Sequence, residues 1–315
     1  MTGVDRPGAL LMTYGSPPSL DREDVRAYLA RVRGDREPDA ELVDEFTRRY
    51  RIIGGSPLID ITRRQAAALA QVLGCPVEIG MRFSEPSIET GLRALAWGGV
   101  TDVAAIILSP QQSPMLMGGY ARAINEAGVE LGNRAPEVVV AGSWCDEPTF
   151  VAALARRVID ALADVPADER RAVRILMTAH SLPKRVAEQE PDYMGQLRAT
   201  AEGVAAVAGL RPSEWTFCWQ SAGHEPGEWM KPDFADLMPE ITASGSRSVL
   251  VAPIQFLADH LEILYDIDVG ARGQAERWGL AFHRIRSLNA DPDFVESLAA
   301  VVRRTLKSPH STVVA

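Results

Sequence analysis

Residues 259–268 read Asp-His-Leu-Glu-Ile-Leu-Tyr-Asp-Ile-Asp, packing four carboxylates and an imidazole into ten positions. Glu262 and Asp266 are four apart, so a helix puts them on one face, and Asp259, three before Glu262, points roughly the same way. Acids and an imidazole this close suit a site that takes a divalent metal or moves protons. A solvated acidic helix face is the alternative. Ile263, Leu264, Tyr265 and Ile267 are too apolar for a helix lying on the surface. Just upstream, the apolar run 249–252 has the length of a buried strand, and Pro253 ends it. The cluster therefore follows the carboxyl end of a strand, where open α/β sheets bind their ligands.

Other strand ends carry reactive types. Thr178-Ala179-His180-Ser181-Leu182-Pro183 closes another apolar run, and His180 is one of five histidines in the chain. Structural packing is the common fate of such a residue. With Glu262, however, it supplies a neutral imidazole and a carboxylate, a pair fit for a borderline divalent metal or for proton transfer. The first strand ends in Tyr14-Gly15-Ser16-Pro17-Pro18, and a phenol oxygen there either packs or ligates a metal. Two basic groups follow, Arg31, Arg33 and Arg36, then Arg48, Arg49 and Arg51, leading into Gly54-Gly55-Ser56-Pro57. Their guanidinium forks match carboxylates. Pairing on the helix surface with Glu41, Asp44 and Glu45 is the other reading. Ser109 to Tyr120 reads as a Met-rich loop, either core or the wall of a pocket for a flat apolar ligand, with Gly118-Gly119 as a turn. Trp219-Gln220-Ser221 ends a further strand, and the Gly/Pro-rich stretch 226–232 reads as a lip beside it.

The elements that must position these residues alternate. Apolar, β-leaning runs occur at 9–14, 77–81, 103–108, 138–141, 173–178, 215–219, 249–252 and 280–285. Helical periodicity fills most of the gaps, at 22–32, 39–50, 62–72, 88–97, 149–162 and 192–207, and again at 292–306 after the last strand. This predicts an α/β fold with parallel sheets. Leu10 to Ser16 resembles Ile175 to Ser181, and Ile107 to Gln112 resembles Leu250 to Gln255, in the same order. The repeat predicts two similar Rossmann-like halves, each a four-stranded parallel sheet flanked by helices, facing across a cleft. The domain expectation is 1–136, then 137–288, with 289–315 as a C-terminal helix and tail packing back on the first half.

Composition narrows the function. The 315 residues carry a net charge of −9, and no basic stripe dominates, which argues against nucleic-acid binding. Cys75, Cys145 and Cys218 are scattered and lack CxxC spacing, giving no disulfide framework or structural metal site. No GxGxxG or P-loop motif follows the first strand. The N-terminus has no long apolar core of a signal peptide, and no stretch is long and apolar enough to span a bilayer, so the expected location is the cytoplasm.

TAHSLP at 178–183, WQS at 219–221, IGGSPL at 53–58 and DHLEILYDID at 259–268 together resemble the ferrochelatase family. The resemblance runs from about residue 9 to about residue 306, in the family's order. It implies a lyase, a metal chelatase that inserts Fe(II) into a porphyrin held in the cleft. It makes His180 and Glu262 the catalytic, metal-handling pair, with His260 in support and Asp266 as a relay. LLMTYGSP, with Tyr14, is similar to the bacterial coproporphyrin III ferrochelatases, and implies Tyr14 as axial ligand to the porphyrin iron on the face opposite His180. Arg33, Arg49, Tyr50, Ser56 and Tyr120, with Ser221, match positions that contact the porphyrin or its propionates.

The implied product is coprohaem, handed to a downstream haem-pathway enzyme by a monomer with no nucleic-acid partner. A protoporphyrin IX chelatase and a non-catalytic haem or porphyrin carrier are the alternatives. No cofactor beyond the substrate Fe(II) is implied. The cysteines that hold an iron–sulfur cluster in some members are absent. Gly270 replaces an extension of the acidic ladder, and Gln111 a histidine, found in some relatives.

Overall fold

The structure, a computed structural model, describes residues 6–223 and 227–307. Eight strands form two separate sheets. The first holds β1 (Pro7–Thr13), β2 (Val77–Met81), β3 (Asp102–Ile107) and β4 (Glu137–Val140), in the order β2-β1-β3-β4. The second holds β5 (Val173–His180), β6 (Trp215–Gln220), β7 (Ser248–Pro253) and β8 (Ala281–Arg284), in the order β6-β5-β7-β8. Every pairing is parallel. The two orders are the same permutation, so the repeated motifs fall on corresponding central strands, β1 with β5 and β3 with β7.

The helices are α1 (Arg22–Val32), α2 (Ala40–Ile52), α3 (Leu58–Leu73), α4 (Ile88–Trp97), α5 (Pro114–Leu131), α6 (Pro148–Asp164), α7 (Lys184–Gln189), α8 (Pro191–Val207), α9 (Phe234–Ala243), α10 (Arg272–Arg277) and α11 (Pro292–Lys307). A π-helix, Glu262–Ala271, runs straight into α10. Helices cover both faces of each parallel sheet, which is why β1 and β7 are near-continuous apolar runs with buried interiors. In the first half, Leu10, Met12 and Val103 pack with Leu92 and Leu95 of α4 and Ile124 of α5. In the second, Leu176 and Val251 pack with Met238 of α9 and with Ile263 and Ile267 of the π-helix.

The chain divides into two compact units, one ending at Trp144 and resumed from Asn289, the other Cys145–Leu288. The expected boundary at residue 136 is corrected. β4 hydrogen-bonds to β3 in register, Val138 opposite Val103, so the strand cannot belong to the second half. α11 packs on α3, β3 and β4 within the first unit. Its buried face includes Phe294, Leu298, Val301 and Val302, and Phe294 stacks 6.4 Å from Trp144.

Two local expectations also change. The stretch 114–120 is the start of α5, not a loop, and Gly118-Gly119 lie inside that helix instead of forming a turn. The helix carrying Glu262 is π-wound, with the i→i+5 bonding that tends to occur at functional sites.

Candidate active site

In the order β6-β5-β7-β8, the chain moves outward from β5 in one direction and then in the other, making the β5/β7 carboxyl end a switch point. His180 is the last residue of β5. Its backbone N–H donates to Gln255 Oε1 at 2.8 Å, just beyond β7, and Gln255 Nε2 donates to the buried Tyr193 hydroxyl. The ring is oriented by a second bond, Nδ1 to the Ser181 carbonyl at 2.6 Å. A carbonyl only accepts, so Nδ1 carries a proton, and in the neutral ring the lone pair is on Nε2.

That Nε2 faces Glu262 Oε2 at 3.7 Å. The two side chains are 31% and 37% exposed, yet Oε2 itself is enclosed and accepts no hydrogen bond. A buried carboxylate oxygen left without a donor is costly, and such atoms mark sites completed by something else. With the ring neutral, two acceptors at this spacing are suited to share a proton or a cation. Among the described residues no group of three or more His, Cys, Asp or Glu is arranged to hold a metal ion.

Three contacts fix Glu262. Ile263 and Ile267 are buried and seat the π-helix on the second core. The Glu262 N–H donates to His260 Nδ1 at 3.1 Å, which leaves the His260 proton on Nε2. Burial pushes the His260 pKa down against the opposing pull of Glu262 and Asp259, so this ring is neutral at pH 7. Arg284 at the end of β8 grips Asp268 with a two-pronged contact, Nε to Oδ1 at 2.7 Å and Nη2 to Oδ2 at 2.9 Å.

Asp259 does not share the Glu262 face. Its Oδ1 accepts from Ser287 Oγ at 2.6 Å and lies 3.6 Å from Arg284 Nη1. Asp259 and Asp268 therefore anchor the two sides of the segment that presents Glu262. Asp266 is half-buried, four positions on from Glu262 along the π-helix. Ser221 holds a φ of 57° at the end of β6, with Gln220 Nε2 3.5 Å from its Oγ. The described part of the 226–232 stretch pairs with the residues after His180: Met230 N–H donates to the Leu182 carbonyl, and Lys184 N–H to that of Glu228. Pro226 lies outside the described residues.

The first unit has its own switch point, between β1 and β3. Tyr14 follows β1, is 47% exposed, and meets the Phe83 ring edge-on at 4.6 Å. Tyr120, on α5, is buried, and burial pushes its phenol up, with nearby Tyr14 adding to the rise and Arg82 opposing it. The guanidinium of Arg82 lies 4.8 Å from the Phe83 ring centre and 5.4 Å from that of Tyr120. The sequence reading missed Arg82. Its only sequence signal is a cation directly after a strand.

The arginines divide. Arg33 is exposed, and its carbonyl accepts from Arg36 Nε. Arg49 and Arg48 both hydrogen-bond Glu45, at 2.7 and 2.8 Å from their Nε atoms, and pull its carboxyl down to about 2. Surface pairing thus accounts for these two in the absence of ligand. Tyr50 is buried, and Ser56 Oγ accepts from the Leu58 N–H at the start of α3.

Comparison with known proteins follows the same lines. The profile of the Ferrochelatase family matches residues 6–306. The chain is 37% identical over 303 residues to a ferrochelatase of Deinococcus radiodurans, covering 94% of this chain and 95% of the relative. It is 34% identical over 308 residues to the coproporphyrin III ferrochelatase of Bacillus subtilis, covering 95% and 97%. Among solved structures, the sirohydrochlorin chelatase SirB of Bacillus subtilis subspecies spizizenii, in complex with cobalt, aligns with a TM-score of 0.57 at 15% identity, over 96% and 97% of the two chains. At that identity the likeness is one of fold.

Proposed function

The chain belongs to the ferrochelatase family, and on that premise we propose that it inserts Fe(II) into coproporphyrin III to give coprohaem. The observation that carries the reading is the His180–Glu262 pair, an imidazole nitrogen facing an enclosed carboxylate oxygen that accepts no hydrogen bond. A first-row divalent ion bonded at about 2.0–2.2 Å to imidazole nitrogen and carboxylate oxygen bridges donors up to about 4.2 Å apart. The 3.7 Å separation lies within that span. Two donors leave the remaining coordination positions open, which favours handing the ion on over storing it.

Metallation releases two pyrrole protons for each iron inserted. His180 Nε2 accepts one at a time, and the Glu262 carboxylate stabilises the imidazolium while each proton leaves. Asp266, further along the π-helix, helps strip water from the incoming cation. Tyr14 supplies the axial oxygen to the porphyrin iron. Arg33, Arg49, Tyr50, Ser56, Tyr120 and Ser221 hold the ring and its carboxylates. Arg49 exchanges Glu45 for a substrate carboxylate, which offers its guanidinium fork the same two-oxygen acceptor. Coproporphyrin is favoured by the Tyr14 motif and by relatives such as the coproporphyrin III ferrochelatase of Bacillus subtilis. The chain acts as a cytoplasmic monomer, without a resident cofactor, and passes its product to a downstream haem-pathway enzyme. Among the described residues no helix is long and apolar enough to cross a membrane.

An anaerobic Fe(II)-insertion assay with coproporphyrin III and protoporphyrin IX tests the reading. Faster turnover of coproporphyrin III is expected. A preference for protoporphyrin IX overturns the substrate, and binding without insertion of iron into either ring overturns the chemistry.

A further inference from the structure

Arg82 stands directly after β2, with its backbone N–H donating to the Thr13 carbonyl next to Tyr14. Its guanidinium lies within cation–π distance of two aromatic rings, Phe83 and Tyr120. Its Nη1 is buried and hydrogen-bonds to nothing among the described residues. A charged donor enclosed without an acceptor is among the more expensive arrangements a protein holds, and the cation–π contacts offset only part of that cost.

The surrounding backbone is shaped to permit it. Gly119 sits inside α5, where glycine costs roughly 0.8–1 kcal/mol relative to alanine. A Cβ at Gly119 would coincide with the Arg82 guanidinium. A helix-weakening residue thus stands where any side chain would collide with this cation. The two rings attract the cation without accepting a hydrogen bond from Nη1, and a planar, two-oxygen acceptor matches the guanidinium fork best.

We propose that Arg82 is a substrate-binding residue that receives a carboxylate side chain of the tetrapyrrole. The inference rests on the porphyrin reading above and adds to it a carboxylate site outside the arginine groups of α1 and α2. It also bears on specificity, because a ring with four carboxylates fills more such sites than a ring with two.

The test measures equilibrium binding of metal-free coproporphyrin III by fluorescence, at low and high salt, alongside Fe(II) insertion. Three variants are used: Arg82→Met, Arg82→Lys and Gly119→Ala. Gly119→Ala keeps the charge and favours the helix, and its added methyl meets only the tip of a flexible side chain, so it folds and displaces the guanidinium. Arg82→Met and Gly119→Ala are expected to weaken coproporphyrin binding by roughly 10- to 100-fold, the range for losing a charged hydrogen bond. Arg82→Met should also flatten the salt dependence, which a packing role would leave unchanged, and Arg82→Lys should restore part of it. Binding within about twofold of the parent in both Arg82→Met and Gly119→Ala, with the parent's salt dependence, overturns the proposal. A parent that binds porphyrin but inserts no iron overturns the chelatase reading instead, and the binding arm still decides Arg82.

Discussion

At His180 the atom that matters is Nε2. The Ser181 carbonyl accepts a hydrogen bond from Nδ1–H on the other side of the ring, so in the neutral imidazole the nitrogen facing Glu262 is the basic one. His180→Ala is therefore expected to abolish Fe(II) insertion while leaving porphyrin fluorescence quenching near the parent level. Glu262→Gln removes the charge but keeps the shape, and should lower kcat by about 10²-fold or more, the usual contribution of a positioned acid–base group. Tyr14→Phe should change the visible spectrum of the product complex more than the rate of insertion; an unaltered spectrum would remove Tyr14 as a ligand. That His180 and Glu262 come within reach of each other was legible from residue type and place, because few soluble helices mix acids with so apolar a flank. Arg82 was not. The place its guanidinium occupies depends on a missing side chain at Gly119, a relation carried by the fold and not by any local pattern. Glu45 gives a pH prediction. Its hydrogen bonds to Arg48 and Arg49 lower the folded-state pKa to about 2 from 4.5. The stabilisation is then complete above about 4.5 and is lost as pH falls towards 2. Denaturant midpoints of the parent and Glu45→Gln should differ most near pH 6 and converge as pH approaches 2.

Among the elements, the strands were the most legible. A parallel strand covered on both faces needs apolar residues throughout, and each of the eight apolar runs became one strand. The N-terminal part of α5 was hidden because Pro114, two methionines and two glycines resemble loop composition, and tertiary packing overrides that weak preference. The π-winding of Glu262–Ala271 was invisible for another reason. Apolar spacing does not separate bonding four residues back from bonding five back. Contacts distant in sequence, among them the Arg284 grip on Asp268, hold this segment and are not written in its own spacing. Arg284 is 15% exposed, so Arg284→Leu leaves Asp268 and Asp259 poorly compensated. A loss on the order of 3 kcal/mol is expected, read by chemical denaturation, together with slower metal insertion as Glu262 drifts from His180.

At the scale of the whole molecule, two sheets share one strand order, and the chain returns to its first unit at the end. The sequence repeat anticipated the two sheets. The boundary was set too early because the turn-rich approach to β4 resembles a linker, whereas strand pairing, which decides membership, is not written locally. α11 fills the face formed by α3, β3 and β4 with Phe294, Leu298 and Val302. Ending the chain at Leu288 should expose that surface, and limited proteolysis should then digest the first unit while sparing the second. Because Cys145–Leu288 is spliced into the other unit, a ribosome can release a finished second sheet before the first is sealed. The first sheet must wait, unsealed, for α11 to leave the exit tunnel.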